Sequence, residues 1–117
     1  KRAFIYIDDA STATYLISTK GKVGSTYHIS TDKIISIKNL IKIISKIAKI
    51  KFQRLVKITK DRIGKDDCYN LSSKKIKKEL NWIPQTSLVD GLKKTQSWVD
   101  YNAIFLKKEK QHYIHKK

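Results

Sequence analysis

From residue 37 to about 49 the apolar side chains repeat at helical spacing. Ile37, Leu40, Ile41, Ile44, Ile47 and Ala48 form one stripe, and Lys38, Lys42, Lys46 and Lys49 lie largely on the other side. Ser36 stands where a helix of this kind wants an N-cap. Such a stripe must be buried against something. A basic amphipathic helix suits a membrane surface or a partner groove. Here, however, stretches rich in β-formers stand on both sides of it in sequence, so packing onto a sheet is expected.

The remaining segments follow the same alternation. Ala3 to Ile7 reads as a strand. Asp8 and Asp9 supply an N-cap and negative charge for a helix carrying Ala10, Ala13, Leu16 and Ile17, and Gly21 is placed to end it. Ser25 to Ile29 reads as a second strand, and Ser30 to Lys33 as a turn. Leu55 to Thr59 reads as a third strand. Ser72 or Ser73 caps a short helix running to Leu80, and Trp82-Ile83-Pro84 closes it, because proline disfavours helix at the residue before it. Ser87-Leu88-Val89-Asp90 is a capping box that opens a final helix with Leu88, Leu92, Trp98 and Val99. Trp82 and Trp98 are expected in the core. The predicted order is β-α-β-α-β-α-α, an α/β class of α+β-like character. It spans residues 1–102, with a basic tail over 103–117.

A chain of 117 residues is enough for one domain with a modest core. It has no Met and begins directly in a strand-like stretch, so we expect a piece of a longer protein. The formal charge of +16 invites a nucleic-acid reading. Yet the excess is 23 Lys against three Arg, spread along the whole chain beside 18 Ile, which has the character of compositional drift. Specific nucleic-acid binding is therefore not expected. A free-standing basic module that binds RNA or DNA remains the alternative of a different class. The single Cys68 excludes an internal disulfide framework and a Cys-only metal site. No apolar run reaches the length of a membrane span, and a cytoplasmic location is the default expectation. Asp8 and Asp9 are better explained as caps than as ligands. His28, His112 and His115 have no companions that would complete a metal site.

One loop stands out chemically. Asp61-Arg62-Ile63-Gly64-Lys65-Asp66, with Tyr69 beyond it, lies between the third predicted strand and the next helix. Gly64 permits a tight turn that brings backbone close to a ligand. In a chain so biased towards Lys, an Arg at 62 reads as selected for its planar fork, which grips phosphate or carboxylate with two parallel hydrogen bonds. A surface loop with an ordinary ion pair is the plain structural account of the same residues.

The ordered set of motifs resembles a known family. Arg2-Ala3-Phe4-Ile5-Tyr6-Ile7-Asp8-Asp9 resembles the R-D-W/F-x-Y-V-x-D signature of nucleotide-sugar 4,6-dehydratases, members of the extended short-chain dehydrogenase/reductase superfamily. Tyr27-His28-Ile29 resembles their Y-N-I strand, and the loop from Asp61 to Tyr69 their D-R-P-G-H-D-x-R-Y run. Lys75 to Pro84 resembles S-K-I-x-x-E-L-G-W-x-P, and Gly91-Leu92 with Thr95 and Trp98 resembles the closing G-L-x-x-T-x-x-W helix. Ile63 replaces a family Pro, Lys65 a family His, and Asp67 and Cys68 stand where Arg is frequent.

The resemblance implies the C-terminal, sugar-nucleotide-binding part of an NAD-dependent dehydratase with a Rossmann fold. The full reaction would oxidise the sugar at C4, eliminate water across C5 and C6, and return the hydride to C6. NAD would be bound by an upstream part, and the catalytic residues would also lie upstream, with none in this chain. The partner would be a nucleoside-diphosphate sugar held by Arg2, Asp61, Arg62, Gly64 and Lys65, and the whole enzyme would be a homodimer. A sister epimerase or decarboxylase of the same superfamily is the alternative.

Overall fold

A computed structural model of the chain describes residues 1–59, 64 and 66–109. The first strand, β1 (Arg2–Ala3), leads into helix α1 (Ile7–Lys20). A second strand, β2 (Ile34–Ile35), pairs with β1 antiparallel, with Arg2 opposite Ile35 and Ala3 opposite Ile34. Helix α2 (Ile37–Ile47) follows at once, and its N-cap Ser36 accepts from the Asn39 N–H at 3.2 Å. After it come the single turn α3 (Phe52–Leu55), α4 (Lys74–Leu80), α5 (Leu88–Tyr101) and α6 (Ala103–Lys108).

The helices form two groups. α1 packs on α4, while α2 packs on α5 and α5 on α6. The fully buried apolar residues are Ala13 of α1, Ile76 of α4 and Trp82 beyond it, with Ile5, Leu16, Ile17, Tyr27, Ile29 and Leu80 packed around them. Tyr27 ties the α1 side to α4, since its hydroxyl accepts from the Lys22 N–H at 3.0 Å and donates to Glu79 at 2.7 Å. α4 stops because Asn81 adopts the left-handed conformation (φ 52°), a geometry asparagine tolerates at a helix end.

Contacts of Asp9 and of Tyr6 join the groups. Asp9 is not the cap of α1, because Tyr6 holds that position. Asp9 sits buried in the first turn and accepts the backbone N–H of Gln85 at 3.1 Å and of Thr86 at 2.9 Å. It thereby fastens α1 to the segment that leads into α5. Beside it, Gly91 of α5 lies against Tyr6, and a Cβ there would meet the Tyr6 side chain at 3.2 Å. The absent side chain is what lets α5 approach.

Several expectations change. The second and third predicted strands, Ser25 to Ile29 and Leu55 to Thr59, are not strands among the described residues. Tyr27, His28 and Ile29 still alternate between half-buried and exposed. The side-chain alternation of a strand is present, but a ladder needs a neighbour, and no described segment pairs with these residues. Phe52 to Leu55 instead closes one helical turn. The observed β2 falls where sequence reading moved directly from a turn to a helix cap. Trp98 is 57% exposed, so it is not core, whereas Trp82 is. Ser73 holds the N-cap position of α4 but its side chain makes no cap hydrogen bond, and Ser72 accepts from the Lys74 N–H at 3.4 Å. The start of the predicted tail is helical, with Asn102 ending α5 and opening α6. His112 and His115 lie outside the described residues. No described helix is long and apolar enough to cross a membrane.

Candidate functional site

The N-terminal strand and the glycine-containing loop meet. Lys1 and Arg2 run alongside residues 67–69: the Tyr69 N–H donates to the Lys1 carbonyl at 2.9 Å, and Arg2 and Tyr69 form a parallel bridge. The Lys1 amino group also donates to the Asp67 carbonyl. Strand pairing of this kind fixes the backbone of Arg2, and therefore the origin of its side chain. The Arg2 guanidinium then turns over the Tyr69 ring, with Cζ 5.5 Å from the ring centroid. Its Nη1 donates to the Lys1 carbonyl at 3.1 Å and, more weakly, to the Asp66 carbonyl at 3.5 Å. Among the described residues no carboxylate pairs with Arg2, so its charge is not already neutralised there.

Gly64 has φ 76°, the left-handed region that a side-chain-bearing residue rarely adopts, and the space around its Cα is open. The tight bend inferred from sequence is therefore present. Asp61, Arg62 and Lys65, three of the five predicted site residues, lie outside the described residues. The described geometry brings Arg2 together with the main chain of Asp66 to Tyr69 and the Tyr69 ring, and shows no contact between Arg2 and Gly64. Tyr69 was visible in sequence only as part of a motif, without a role. Its position under a guanidinium comes from strand pairing between segments 67 residues apart, which no local pattern encodes.

A cavity of about 550 Å³ opens beside this ladder, lined by Phe4, Asp32, Lys33, Ile34, Ile35 and Thr86 among others. It adjoins Arg2 through Ile35, the strand partner of Arg2. Asp32 on its rim is paired to Lys77 of α4. Ser87, at the mouth, is occupied as the N-cap of α5 and accepts from the Asp90 N–H at 3.1 Å.

Asp9 has a resolved shift in acidity. Burial pushes its carboxyl up, but the Gln85 and Thr86 backbone donors, the Thr86 side chain and Lys94 outweigh burial, and the net value lies below the ordinary 3.8. A carboxylate held ionised by backbone donors is a structural clasp and a poor general acid at neutral pH. Among the described residues no group of three or more metal-ligating side chains is gathered. Cys68 is exposed. The four glycines are scattered over 21, 24, 64 and 91, and none belongs to a glycine-rich turn between a strand and a helix, so these residues do not fit an NAD phosphate site.

Comparison with known proteins follows the same lines. No family model matches the chain. The dTDP-glucose 4,6-dehydratase of Haemophilus influenzae is 31% identical over 112 residues, covering 87% of this chain and 33% of that protein. A dTDP-glucose 4,6-dehydratase of Escherichia coli is 32% identical over 107 residues, covering 83% and 30%. The chain is homologous to part of the nucleotide-sugar 4,6-dehydratases. This dehydratase-like chain spans about a third of the length of the curated relatives it matches.

Its fold agrees with that assignment. It superposes on the dTDP-glucose 4,6-dehydratase of Bacillus anthracis, solved with NAD, with a TM-score of 0.80 at 23% identity, covering 89% of this chain and 32% of that one. It also superposes on the Bordetella bronchiseptica enzyme WbmF, solved with NAD+ and UDP, with a TM-score of 0.72 at 28% identity, covering 91% and 30%. The short sheet and many helices of this dehydratase-like chain thus match about a third of each of those solved chains.

Proposed function

We propose that this chain is the sugar-nucleotide-binding portion of an NAD-dependent nucleoside-diphosphate-sugar 4,6-dehydratase, and that Arg2 and Arg62 grip the diphosphate. The observation that carries this reading is the placement of Arg2. An arginine in a chain dominated by lysine is fixed by strand pairing with Tyr69, the residue that ends the 61–69 run, and no described carboxylate pairs with it. A diphosphate calls for such guanidinium forks and for close backbone donors. Asp61, Gly64 and Lys65 complete the set by position in the loop. The relatives are named for dTDP-glucose or UDP-glucose dehydration, and one solved neighbour holds UDP, which fits a nucleoside-diphosphate ligand.

The chemistry assigned to these residues is binding and charge neutralisation. The hydride chemistry belongs to NAD, for which these residues build no site, so no catalytic step is assigned to them. The same reading makes the whole enzyme a homodimer of the cytoplasm. Calorimetric titration of the chain with dTDP-glucose, UDP-glucose and thymidine is the direct test. Binding of the diphosphate sugars without binding of thymidine is expected. Arg62→Lys should weaken it by about 1–3 kcal/mol, the scale of a charge-assisted bidentate contact. Equal affinity in that variant, or tight salt-sensitive binding to oligonucleotides with none to sugar nucleotides, would count against the assignment. The chain by itself is expected to turn over no sugar nucleotide.

A further inference from the structure

We infer that Tyr69 is a positioning residue that orients the Arg2 guanidinium for bidentate contact with the ligand diphosphate, an inference that rests on the function proposed above. A free arginine samples many rotamers, and a bidentate grip needs one plane and one direction. Three contacts restrict Arg2. Its Nη1 is drawn towards the Lys1 carbonyl at 3.1 Å and the Asp66 carbonyl at 3.5 Å, and its Cζ stands 5.5 Å from the centroid of the Tyr69 ring. The carbonyls hold one corner of the fork, and the ring lies within cation–π distance of its centre. A guanidinium restrained at its centre and one corner still offers donors along its remaining edge, which phosphate oxygens accept.

Core packing does not explain the tyrosine. Tyr69 is 53% exposed and takes no part in the buried cluster around Ala13, Ile76 and Trp82. The contact its side chain makes among the described residues is that of its ring with the Arg2 guanidinium. The backbone arrangement serves the same end. The Tyr69 N–H bonds to the Lys1 carbonyl at 2.9 Å, so the ring and the guanidinium sit on directly paired residues and their separation is set by the ladder. Any aromatic side chain at 69 satisfies this geometry, and an aliphatic one does not.

The test is a double-mutant cycle on the full chain, read by titration with dTDP-glucose, with folding checked by far-ultraviolet circular dichroism. Tyr69→Leu and Tyr69→Ala should each weaken binding about two- to fivefold, the factor that a cation–π contact at an exposed site contributes. Tyr69→Phe should bind as the parent does, since it keeps the ring. In an Arg2→Ala background the Tyr69→Leu change should have no further effect. In the free protein the Arg2 side-chain protons should show an upfield ring-current shift that persists in Tyr69→Phe and vanishes in Tyr69→Leu. If the parent binds dTDP-glucose and Tyr69→Leu binds equally well, or Tyr69→Phe is as weak as Tyr69→Leu, the positioning role is overturned while diphosphate binding stands. If the parent binds no diphosphate sugar, both readings fall.

Discussion

Asp9 shows how one residue can be legible in type and misread in role. A carboxylate near a helix start is expected to cap that helix or complement its dipole. Here it reaches across 76 residues to the Gln85 N–H, because Pro84 and its neighbours arrive with two backbone donors that have no partner of their own. Its acidity is raised above the unfolded chain's, so the linkage has a definite sign. The carboxylate stabilises the fold fully above the ordinary value of 3.8, and that contribution is lost as the pH falls through the depressed folded value. Asp9→Asn should cost about 1.5–3 kcal/mol at neutral pH, as for hydrogen bonds to a charged group. The difference between variant and parent should shrink as the pH is lowered below 4, measured by urea unfolding along a pH series. A constant difference would show that Asp9 is not ionised in the clasp.

At the scale of elements, the caps of α2 and α5 proved readable and packing partners did not: the α2 stripe, expected on a sheet, lies against α3 and α5 with none of its residues fully buried. Ser36 and Ser87 cap α2 and α5 as their sequence positions require, and α4 stops before Pro84 as expected. These are short-range facts, settled within a turn of helix. The segments 25–29 and 55–59 have strand composition, but whether a segment becomes a strand depends on what lies beside it. The approach of α5 to the β1–α1 connection depends on Gly91, whose missing Cβ leaves room for Tyr6, and Lys94 on the next turn of α5 stands 5.1 Å from the Tyr6 ring centroid. Gly91→Val should destabilise the chain by about 1–3 kcal/mol, the cost of overpacking a close contact, despite replacing a poor helix former. Denaturation midpoints of the two proteins compare this directly. An unchanged midpoint would mean that α5 does not rest on Tyr6.

At the scale of the whole molecule, too little apolar surface is covered. Among the described residues Ala13, Ile76 and Trp82 are the buried hydrophobics, while Ile58, Tyr101, Ile104 and Phe105 are among many left exposed. The accessible surface is 10407 Å². A compact monomer of this mass would expose roughly 6,600 Å². The radius of gyration is 17.3 Å. About 13 Å is usual for a compact domain of this length. The relatives are about three times as long, and the superposed solved enzymes carry the remainder of the fold in the same chain. The chain alone should therefore unfold in urea with a shallow transition and should bind a hydrophobic dye such as ANS strongly before unfolding. A steep transition with no dye binding would show that it is a self-sufficient domain.

The sequence by itself determined the helices α1, α2, α4 and α5, the caps Ser36 and Ser87, the bend at Gly64 and, through the ordered motifs, the relationship to the dehydratases. All of these rest on interactions within a few residues or on residue types in order. Tertiary structure alone decided that Arg2 lies on Tyr69, that Asp9 clasps the approach to α5, that Trp98 faces outward and that two strand-like segments stay unpaired. Each of these depends on which distant segment comes alongside, and a one-dimensional pattern records the propensity of a segment without recording its neighbour.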